Sequence, residues 1–274
     1  MLFELHCHSW YSKGTKIPWE CLSSPKEIMK QAKRLGLSGV ALTDHKTTKG
    51  WKEAGEEAKK LRLLFIPGVE LQAREGHIIA LGISEGIDNH LGLEETIERI
   101  HEQGGLAIAP HPFDLKGDGI KNNGIEKVDA IEVFNSMNLD KLSNWVAEKK
   151  AKDLGKPMVV GSDAHTPEMM GYAVNISGAT DLDSLLKEIK KNRLMFRTRY
   201  LHLNNLIDWY RERFIRSYVD VLNYIGDNYV YPKAIVARTL LNKFIKSRNV
   251  FWDALAHFGL GVSTVYSMLK SVKY

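Results

Sequence analysis

The sequence predicts an α/β barrel followed by an all-helical C-terminal segment. Short hydrophobic runs alternate with segments of helical periodicity through about the first 200 of the 274 residues. This alternation is typical of a β-sheet wrapped by helices. Several of the hydrophobic runs end in histidine, aspartate or glutamate, and polar residues at strand ends mark the functional rim of a (β/α) barrel. Beyond this region the chain shows only helical patterning, which predicts a helical appendage.

The strands are predicted from short runs that are apolar throughout, as expected where a sheet is covered by helices on its outer face. The predicted strands are Leu2–His8, Gly39–Thr43, Leu63–Val69, His77–Ile83, Leu106–Ala109, Ala130–Phe134 and Pro157–Gly161, with Tyr172–Ile176 as one more short strand. Seven or so strands therefore form the sheet, and we expect them to be largely parallel.

The first helix shows how the sequence punctuates the strands. Ser24 is suited to the N-cap, Pro25 to the first helical position, and Glu27 to closing a capping box with Ser24. Gly36 ends the helix after about Leu35. Four further helices follow from the same periodicity, at 50–62, 93–103, 139–154 and 182–191.

Residues 201–274 are predicted to form a separate, basic helical domain after a barrel at 1–200. The predicted helices are 205–224, 232–247, 251–258 and 263–272. Residues 197–274 hold 12 Lys/Arg against 5 Asp/Glu, a net charge of +7, whereas residues 1–196 carry a net charge of −2. A basic segment can bind nucleic acid or another polyanion. A solvated basic surface is the alternative that the same charge allows.

Part of this tail loosely resembles a helix-turn-helix. Gly259 and Val265 have the expected separation, but Leu255 stands where alanine is usual. Only Lys270 on the second helix and Lys273 after it could contact DNA, which is few for a recognition helix. A helical cap over the barrel, or a dimer surface, is the competing interpretation.

Composition excludes several classes of protein. Hydrophobic residues make up 44% and charged residues 26%, as in ordinary globular proteins. No apolar run approaches the roughly 20 residues that span a bilayer, so no membrane partner is expected. Cys7 and Cys21 are too few for a disulfide framework. The chain opens directly on a predicted strand, without a signal peptide, and we expect a cytoplasmic protein.

Two pairs of metal-ligand residues stand at the ends of predicted strands. In a strand, residues i and i+2 point to the same face, so His6 and His8 project together. Asp163 and His165 repeat this spacing after the seventh strand. Glu70 follows the third strand, and its carboxylate can bridge two ions about 3.5–4 Å apart.

Three single histidines complete the candidate set: His45 and His111 follow predicted strands, and His77 begins the fourth. A lone histidine is more often a surface or hydrogen-bonded residue. We expect that ordinary role for the remaining histidines, His90, His101, His202 and His257. The joint placement of the others at strand ends favours a metal site. Imidazoles with carboxylates suit Zn, Mn or Fe.

These motifs, in this order, resemble the PHP (polymerase and histidinol phosphatase) family of metal-dependent phosphoesterases over roughly the first two-thirds of the chain. The resemblance implies a distorted (β/α)7 barrel and three sets of ligands. The sets are His6, His8, Glu70 and Asp163 for one metal, Glu70, His77 and His111 for a second, and His45 with His165 for a third. It also leads us to expect that Asp44 and Glu132 orient ligands and that Asn135 contacts substrate.

One position departs from the family pattern. The family often has an aspartate shortly after the first histidine pair, whereas here the loop Ser9–Gly14 carries Lys13. A protonated lysine cannot ligate a metal and repels one. We therefore expect two metals, with the third site in question. Lys13 is instead a candidate to hold a substrate phosphate, although a flexible exposed lysine would give the same sequence.

The implied chemistry is hydrolysis of a phosphate ester of a small molecule or nucleotide. A hydroxide between two divalent ions is the expected nucleophile, because a bound ion lowers the pKa of water from 15.7 toward roughly 7. His45 or His165 would protonate the leaving oxygen if the third site holds no metal. No covalent enzyme intermediate is expected.

Two alternatives keep the barrel and change its role. A phosphodiesterase or nuclease would use residues 201–274 to hold nucleic acid, and a non-catalytic member would only bind it. The sequence contains no Gly-x-x-x-x-Gly-Lys-Ser/Thr loop and no Gly-x-Ser-x-Gly elbow, which excludes P-loop and serine-hydrolase chemistry. An amidohydrolase would need a lysine in the middle of a strand, and no predicted strand offers one.

Overall fold

The structure is a computed structural model that describes residues 1–14 and 17–271. Lys273, considered above as a DNA contact, lies outside the described residues. The strands are β1 (Leu2–Cys7), β2 (Gly39–Leu42), β3 (Leu64–Gln72), β4 (His77–Leu81), β5 (Leu106–Ala109), β6 (Ala130–Asn135), β7 (Met158–Gly161), β8 (Ala173–Ile176) and β9 (Met195–Thr198). The helices are α1 (Pro25–Arg34), α2 (Trp51–Leu61), α3 (Leu93–Glu102), α4 (Leu142–Asp153), α5 (Leu182–Lys190), α6 (Leu203–Arg216), α7 (Tyr218–Asn228), α8 (Lys233–Lys246) and α9 (Val250–Ser271).

The strands form one sheet in the order β7-β6-β5-β4-β3-β2-β1-β8-β9. The sheet curls until β7 meets β1: the Asp163 N–H donates to the His6 carbonyl at 2.9 Å, and the His8 N–H donates to the Ala164 carbonyl at 2.9 Å. The result is a nearly closed barrel carrying C-terminal helices, which confirms the predicted fold class. The count differs from the expected seven or so, because β8 and the unpredicted β9 extend the sheet beyond the closure.

The sheet is mixed and not largely parallel as expected. β4 runs antiparallel to both β3 and β5, and β8 runs antiparallel to β1 and β9. Only four residues, 73–76, join β3 to β4. A parallel crossover needs a dozen or more residues, so this connection forces a hairpin. The start of β4 therefore lies at the same rim as the carboxyl ends of the parallel strands.

An irregularity in β1 changes the direction in which the side chains at its end point. The pairing of β1 with β2 shifts register between Glu4 and Cys7. Leu5 belongs to a buried hydrophobic cluster made by residues of strands β1 to β7 and of α5. Cys7 belongs to a different buried cluster, which includes residues of α1 and α2. Without the extra residue, Leu5 and Cys7 would share a face. β6 has a similar shift between Glu132 and Phe134.

The first helix begins as predicted. The Glu27 N–H donates to Ser24 Oγ at 3.2 Å, and the Ser24 N–H donates to Glu27 Oε2 at 2.7 Å. Both bonds of the capping box are therefore present.

The C-terminal helices correct two predictions. The expected helix over 205–224 is divided at Ser217, which accepts a hydrogen bond from the Trp19 N–H through Oγ. The predicted break between helices 251–258 and 263–272 is wrong, because α9 continues without a turn through Gly259 and Gly261. The loose resemblance to a helix-turn-helix therefore does not extend to the structure. A glycine inside a helix costs only about 1 kcal/mol, and α9 packs on both α4 and α6, so tertiary contacts outweigh the cost.

Among the described residues, no helix combines the length and the hydropathy needed to cross a bilayer. The division into domains at residues 1–200 and 201–274 remains a prediction. Hydrogen bonds from Trp209 and Arg213 tie α6 to the barrel loop at Trp19 and Glu20.

Candidate metal centre

All eight predicted ligands come together at one rim of the barrel. They arrive from five places in the sheet: the end of β1, the residues after β2, the β3–β4 hairpin, and the residues after β5 and β7. The residues are His6, His8, His45, Glu70, His77, His111, Asp163 and His165. All but His45 are buried, and the His45 side chain keeps 16% of its exposure.

Glu70 occupies the centre of the cluster, and its carboxylate is fully buried. Its Oε2 lies 2.8 Å from His45 Nδ1 and 3.4 Å from His8 Nε2. Its Oε1 lies 2.9 Å from His77 Nδ1 and 3.0 Å from His111 Nε2. The two oxygens therefore face different sets of imidazoles, as required of a carboxylate that bridges two ions.

His6, His8 and Asp163 form a second focus beside Glu70. The Nε2 atoms of the two histidines are 3.1 Å apart. Asp163 Oδ1 lies 3.1 Å from His8 Nε2 and 3.5 Å from His6 Nε2. Three ligand atoms thus converge on one point from two strands that meet at the barrel closure.

A third group differs slightly from the expected pair. His45 and His165 are joined by His8, with ligand atoms of all three within 4.8 Å of one another. The His165 Nδ1 lies 2.8 Å from the Asp163 carbonyl oxygen. An N–H on Nδ1 donates there, which leaves the Nε2 lone pair of His165 free to bind an ion.

The cluster fits a divalent cation on the evidence of its own polar atoms. Buried polar groups normally have hydrogen-bond partners, but Glu70 Oε2, His77 Nδ1 and His111 Nδ1 have none. His77 Nδ1 and Glu70 Oε1 approach to 2.9 Å without hydrogen-bond geometry. Lone pairs that converge in this way are typical of ligands around a shared ion, and imidazole with carboxylate suits Zn, Mn or Fe.

Electrostatics keep the two carboxylates ionised. Burial alone would raise the pKa of Glu70, but neighbouring His45 and His77 hold it well below its usual range. Burial acts in the same direction on Asp163, and His6 likewise holds the pKa of that carboxyl well below its usual range. Both side chains therefore remain anionic ligands at neutral pH.

The imidazoles divide into two classes. Burial would lower the pKa of His45 and His111, but the Glu70 carboxylate beside them raises each to about 9. Burial lowers the pKa of His8 to about 3, helped by the charge on His45, and burial likewise lowers the pKa of His165 to about 3. Burial would also lower the pKa of His6, but the carboxylates of Glu132 and Asp163 raise it well above its usual range. Without a metal, protons therefore reside on His6, His45 and His111.

Glu132 contacts two of the predicted ligands at once, in the position expected of a residue that orients them. Its Oε1 lies 2.8 Å from His6 Nδ1, which directs Nε2 of that ring into the cluster. Its Oε2 accepts the His111 N–H at 2.8 Å. Asn135, expected to contact substrate, instead donates its buried amide to Glu132 Oε2 at 3.0 Å and to Asp163 Oδ2 at 3.2 Å. Its observed contacts are therefore with two carboxylates at the cluster.

Asp44 fixes the loop after β1. Its carboxylate accepts the Ser9 N–H and hydroxyl, each at 2.6 Å, and the Ser12 hydroxyl at 2.8 Å. Ser12 Oγ also accepts the His45 N–H at 2.9 Å. The aspartate therefore holds the loop that flanks His8 and His45, the orienting role predicted for it.

The backbone is strained at two of the predicted ligands. His111 has φ 28° and Asp163 has φ 52°, values that non-glycine residues rarely adopt. Such conformations persist only where the surrounding structure enforces them, and they concentrate at functional sites.

Comparisons with known proteins agree with this geometry. A family model described as PHP-associated matches residues 141–194. The uncharacterized protein MJ1587 of Methanocaldococcus jannaschii is 39% identical over 158 residues, which are 55% of this chain and 91% of that protein. A two-domain protein from Bacteroides vulgatus, with a predicted PHP-like metal-dependent phosphoesterase, superposes with a TM-score of 0.58 at 19% identity, covering 79% of this chain and 69% of that one. The chain belongs to the PHP family.

A relative with a named activity matches a smaller part of this PHP protein. The phosphoribosyl 1,2-cyclic phosphate 1,2-diphosphodiesterase of Eggerthella lenta is 32% identical over 108 residues, which are 37% of this chain and 38% of that enzyme. The resemblance stated from the motifs is thus confirmed at the level of family and fold. The fold is that of PHP-like metal-dependent phosphoesterases.

Lys13, the departure from the family pattern, lies at the mouth of the PHP site. Its Nζ stands 3.9 Å from the centre of the Trp19 ring. Lys46 and Lys116 line the same mouth and were not predicted. The surrounding protein would by itself lower the pKa of Lys116, but attraction to Asp163 raises it. The three lysines share the lining of this cavity with Glu20, Asp114, Asp118 and Asp140.

Sequence reasoning also missed Glu20, whose Oε2 lies 3.8 Å from His45 Nε2. Glu20 and Lys116 belong to irregular loops without a recognisable motif, so only the folded chain identifies them. The four histidines assigned ordinary roles lie outside the cluster. Of these, His101 pairs with Asp129 at 2.7 Å on the surface, and His257 bonds the Asp253 carbonyl at 2.7 Å.

Proposed function

We propose that this chain is a metal-dependent hydrolase of phosphate esters. The observation that carries the proposal is Glu70, a fully buried carboxylate whose two oxygens face imidazoles from four different parts of the sheet. A buried carboxylate with an oxygen that lacks a hydrogen bond is costly unless it binds an ion. Membership of the PHP family supports the same chemistry.

Two ions would share Glu70. His6, His8 and Asp163 would hold one with it, and His77 and His111 would hold the other. The third group, His8, His45 and His165, is a further place for an ion. When bound, two such ions lower the pKa of a water molecule and neutralise charge on the phosphoryl oxygens.

The remaining roles belong to side chains at the mouth. His45 is the better donor of a proton to the leaving oxygen, because its side chain is 16% exposed to the cavity whereas that of His165 is 3% exposed. Lys46 and Lys116, with Lys13, would hold phosphate oxygens as point charges.

The proposed substrate is a phosphorylated small molecule or nucleotide. The Eggerthella lenta relative acts, by its name, on a cyclic phosphodiester of a sugar phosphate, which supports small phosphate esters as the class. A nuclease that holds nucleic acid on residues 201–274 has less support, because α9 lacks the turn that a helix-turn-helix requires.

The test is phosphate release from a panel of sugar phosphates, nucleotides, cyclic phosphates and oligonucleotides, with added Mn²⁺ and with chelator. We expect turnover that needs metal and disappears in Glu70→Gln, while the exposed control Glu126→Gln retains it. Affinity for a small ester should change little between low and moderate salt, whereas a nuclease would lose affinity steeply. Equal rates for Glu70→Gln and wild type would contradict the proposal.

A further inference from the structure

A single cavity of about 980 Å³ joins the metal cluster to the C-terminal helices. Its inner end is lined by His45, His77, His111, Asp163 and His165. Its outer part is lined by α6, α7, α8 and α9 and opens to solvent beside Leu240 and Leu255, which are 47% and 50% exposed. Pockets for small ligands span about 300–1,000 Å³, so this volume is large for a site that needs to hold only a phosphate group.

The outer part, which we call the helical chamber, has apolar walls. Each helix contributes side chains at helical spacing, among them Phe214 from α6, Ile225 from α7, Leu241 from α8, and Trp252 and Ala256 from α9. Within the part of the chain that the structure describes, no Asp, Glu, Lys or Arg of these helices lines the chamber. The charged residues of the tail therefore face elsewhere.

The chamber is an incompletely filled interior. Val221, Ile225 and Leu241 are buried, but Phe214, which packs against them, and Phe244, whose ring lies 5.9 Å from that of Phe214, remain only partly buried. Helical cores normally fill to crystal-like density and cover such rings. Trp252 also holds a buried indole N–H without a hydrogen-bond partner. The helices therefore leave a space between them that their side chains do not fill.

The appendage is fixed over the metal site. The buried Trp209 donates from its indole Nε1 to the Glu20 carbonyl at 2.8 Å, and its ring lies 4.7 Å from that of His165. Arg213 donates from Nε to the Trp19 carbonyl at 3.0 Å. These bonds hold the chamber in line with the cluster, so one ligand can occupy both.

We propose that the substrate is a phosphate ester of a long-chain hydrocarbon alcohol, with its phosphate at the metal cluster and its chain in the helical chamber. This inference rests on the proposed function. The base, sugar or further phosphates of a nucleotide would lose hydrogen bonds to water in the chamber and regain few. A hydrocarbon chain gains instead, about fourfold in affinity for each methylene buried.

The reaction is hydrolysis of the ester. One water molecule is consumed, the phosphoester P–O bond breaks, and the products are inorganic phosphate and the chain alcohol. Lys13, Lys46 and Lys116 line the cavity together with Glu20, Asp114, Asp118 and Asp140, and all of these lie outside the C-terminal helices. Among the described lining residues, charged side chains are therefore found toward the phosphate end and not on the helical walls that would contact the apolar chain.

The experiment compares butyl, octyl and dodecyl phosphate below their micellar concentrations. Rates of phosphate release are measured with Mn²⁺, and dissociation constants are measured by calorimetry without turnover, in the presence of chelator. We expect kcat/KM and affinity to rise by at least a hundredfold from butyl to dodecyl phosphate. Equal affinity for all three chains would overturn the inference.

A matched pair of variants locates the effect. Ala256→Phe fills the chamber and should reduce the dodecyl-to-butyl ratio at least tenfold, whereas Ala254→Phe, exposed two residues away on α9, should keep it within twofold. Ala237→Phe, on the chamber wall of α8, replaces Ala256→Phe if that variant does not fold. A ratio unchanged in the filled chamber would overturn the inference. Chain-dependent binding without hydrolysis of any ester would instead contradict the proposed function and retain the chamber.

Discussion

Gly161 shows how closely the residues around the candidate metal centre are fitted. A Cβ at this position would lie 2.5 Å from His6 Cβ and would overlap Glu132 Oε1. Those two side chains form the contact that aims His6 at the cluster. Any residue other than glycine must therefore push apart a ligand and the carboxylate that orients it.

We expect Gly161→Ala to weaken metal binding at least tenfold, because displacing Glu132 misdirects His6. Gly178→Ala is the matched control, since a Cβ there meets no atom within 4 Å. Metal titration of both proteins measures the difference. Wild-type affinity in Gly161→Ala would show that the Glu132–His6 contact does not govern the site.

Glu132 itself gives a second prediction at this scale. Glu132→Gln should lower metal affinity by about 10–100-fold, the usual effect of removing a carboxylate that orients a histidine ligand. The fold should persist, because the amide retains the size of the carboxylate. Metal titration with circular dichroism checks both points, and an affinity within twofold of wild type would contradict the assigned role.

The ligand motifs were predictable because they depend only on local geometry. His6 with His8 and Asp163 with His165 lie two residues apart near strand ends, and the fold brings both pairs to one rim. Glu20 and Lys116 were not predictable, because each reaches the site from an irregular loop whose path is set by tertiary contacts. Asn135 lies at a strand end, as the predicted ligands do, but its amide donates hydrogen bonds to Glu132 and Asp163.

At the scale of elements, the length of the connection between β3 and β4 determines their relative direction. The sequence marks β3 and β4 correctly, yet the few residues between them allow only a hairpin. Recognising this would have placed His77 at the ligand rim without ambiguity. The break predicted within α9 is wrong for a different reason. Gly259 and Gly261 suggested a turn locally, but the helix continues through both because it packs on its neighbours. β9 was missed because its residues are mostly exposed.

The junction of α6 with the barrel yields a prediction about Trp209, which is 2% exposed. Trp209→Ala should destabilise the protein by about 3–5 kcal/mol, because it leaves a large cavity. Trp209→Phe should cost about 1 kcal/mol, mainly through the lost bond to the Glu20 carbonyl. Denaturant unfolding measures both.

The control for this junction is Trp145→Ala. That side chain is 55% exposed, so its removal should change the free energy of unfolding by less than about 0.5 kcal/mol. An equally small loss in Trp209→Ala would mean that α6 is not anchored on the barrel.

At the scale of the whole molecule, the buried histidines predict how stability depends on pH. His45 and His111 have pKa values raised to about 9 in the metal-free fold. Their contribution is complete below the unfolded pKa of about 6.5 and is lost as pH rises through about 9. His8 and His165, with pKa values lowered to about 3, oppose folding as pH falls below about 6.5.

We therefore expect the metal-free protein to be most stable near pH 6–7, as measured by thermal unfolding with chelator. Added metal should bind more tightly as pH rises toward 9, because it must displace the protons on His45 and His111. Calorimetry in two buffers of different ionisation enthalpy measures this proton release. No release at pH 7 would contradict the assignment of these histidines as ligands.

The helical chamber could not be predicted from the sequence, for a physical reason. Apolar residues at helical spacing indicate a buried face but not whether the faces meet or enclose a space. Phe214 and Trp252 at this spacing would be equally expected in a filled core. The apolar faces line a cavity only because α6, α7, α8 and α9 are arranged over the rim of the barrel. Basic charge in the same segment pointed toward nucleic acid, although the charged side chains do not line the chamber.

The measurement that tests the central claim most directly is metal content, by plasma mass spectrometry, together with Mn²⁺-dependent phosphate release for wild type and His8→Ala. His202→Ala, an exposed histidine outside the cluster, is the matched control. We predict about two or more equivalents of metal with turnover in wild type and control, and loss of both in His8→Ala. Full metal content and full rate in His8→Ala would contradict the account.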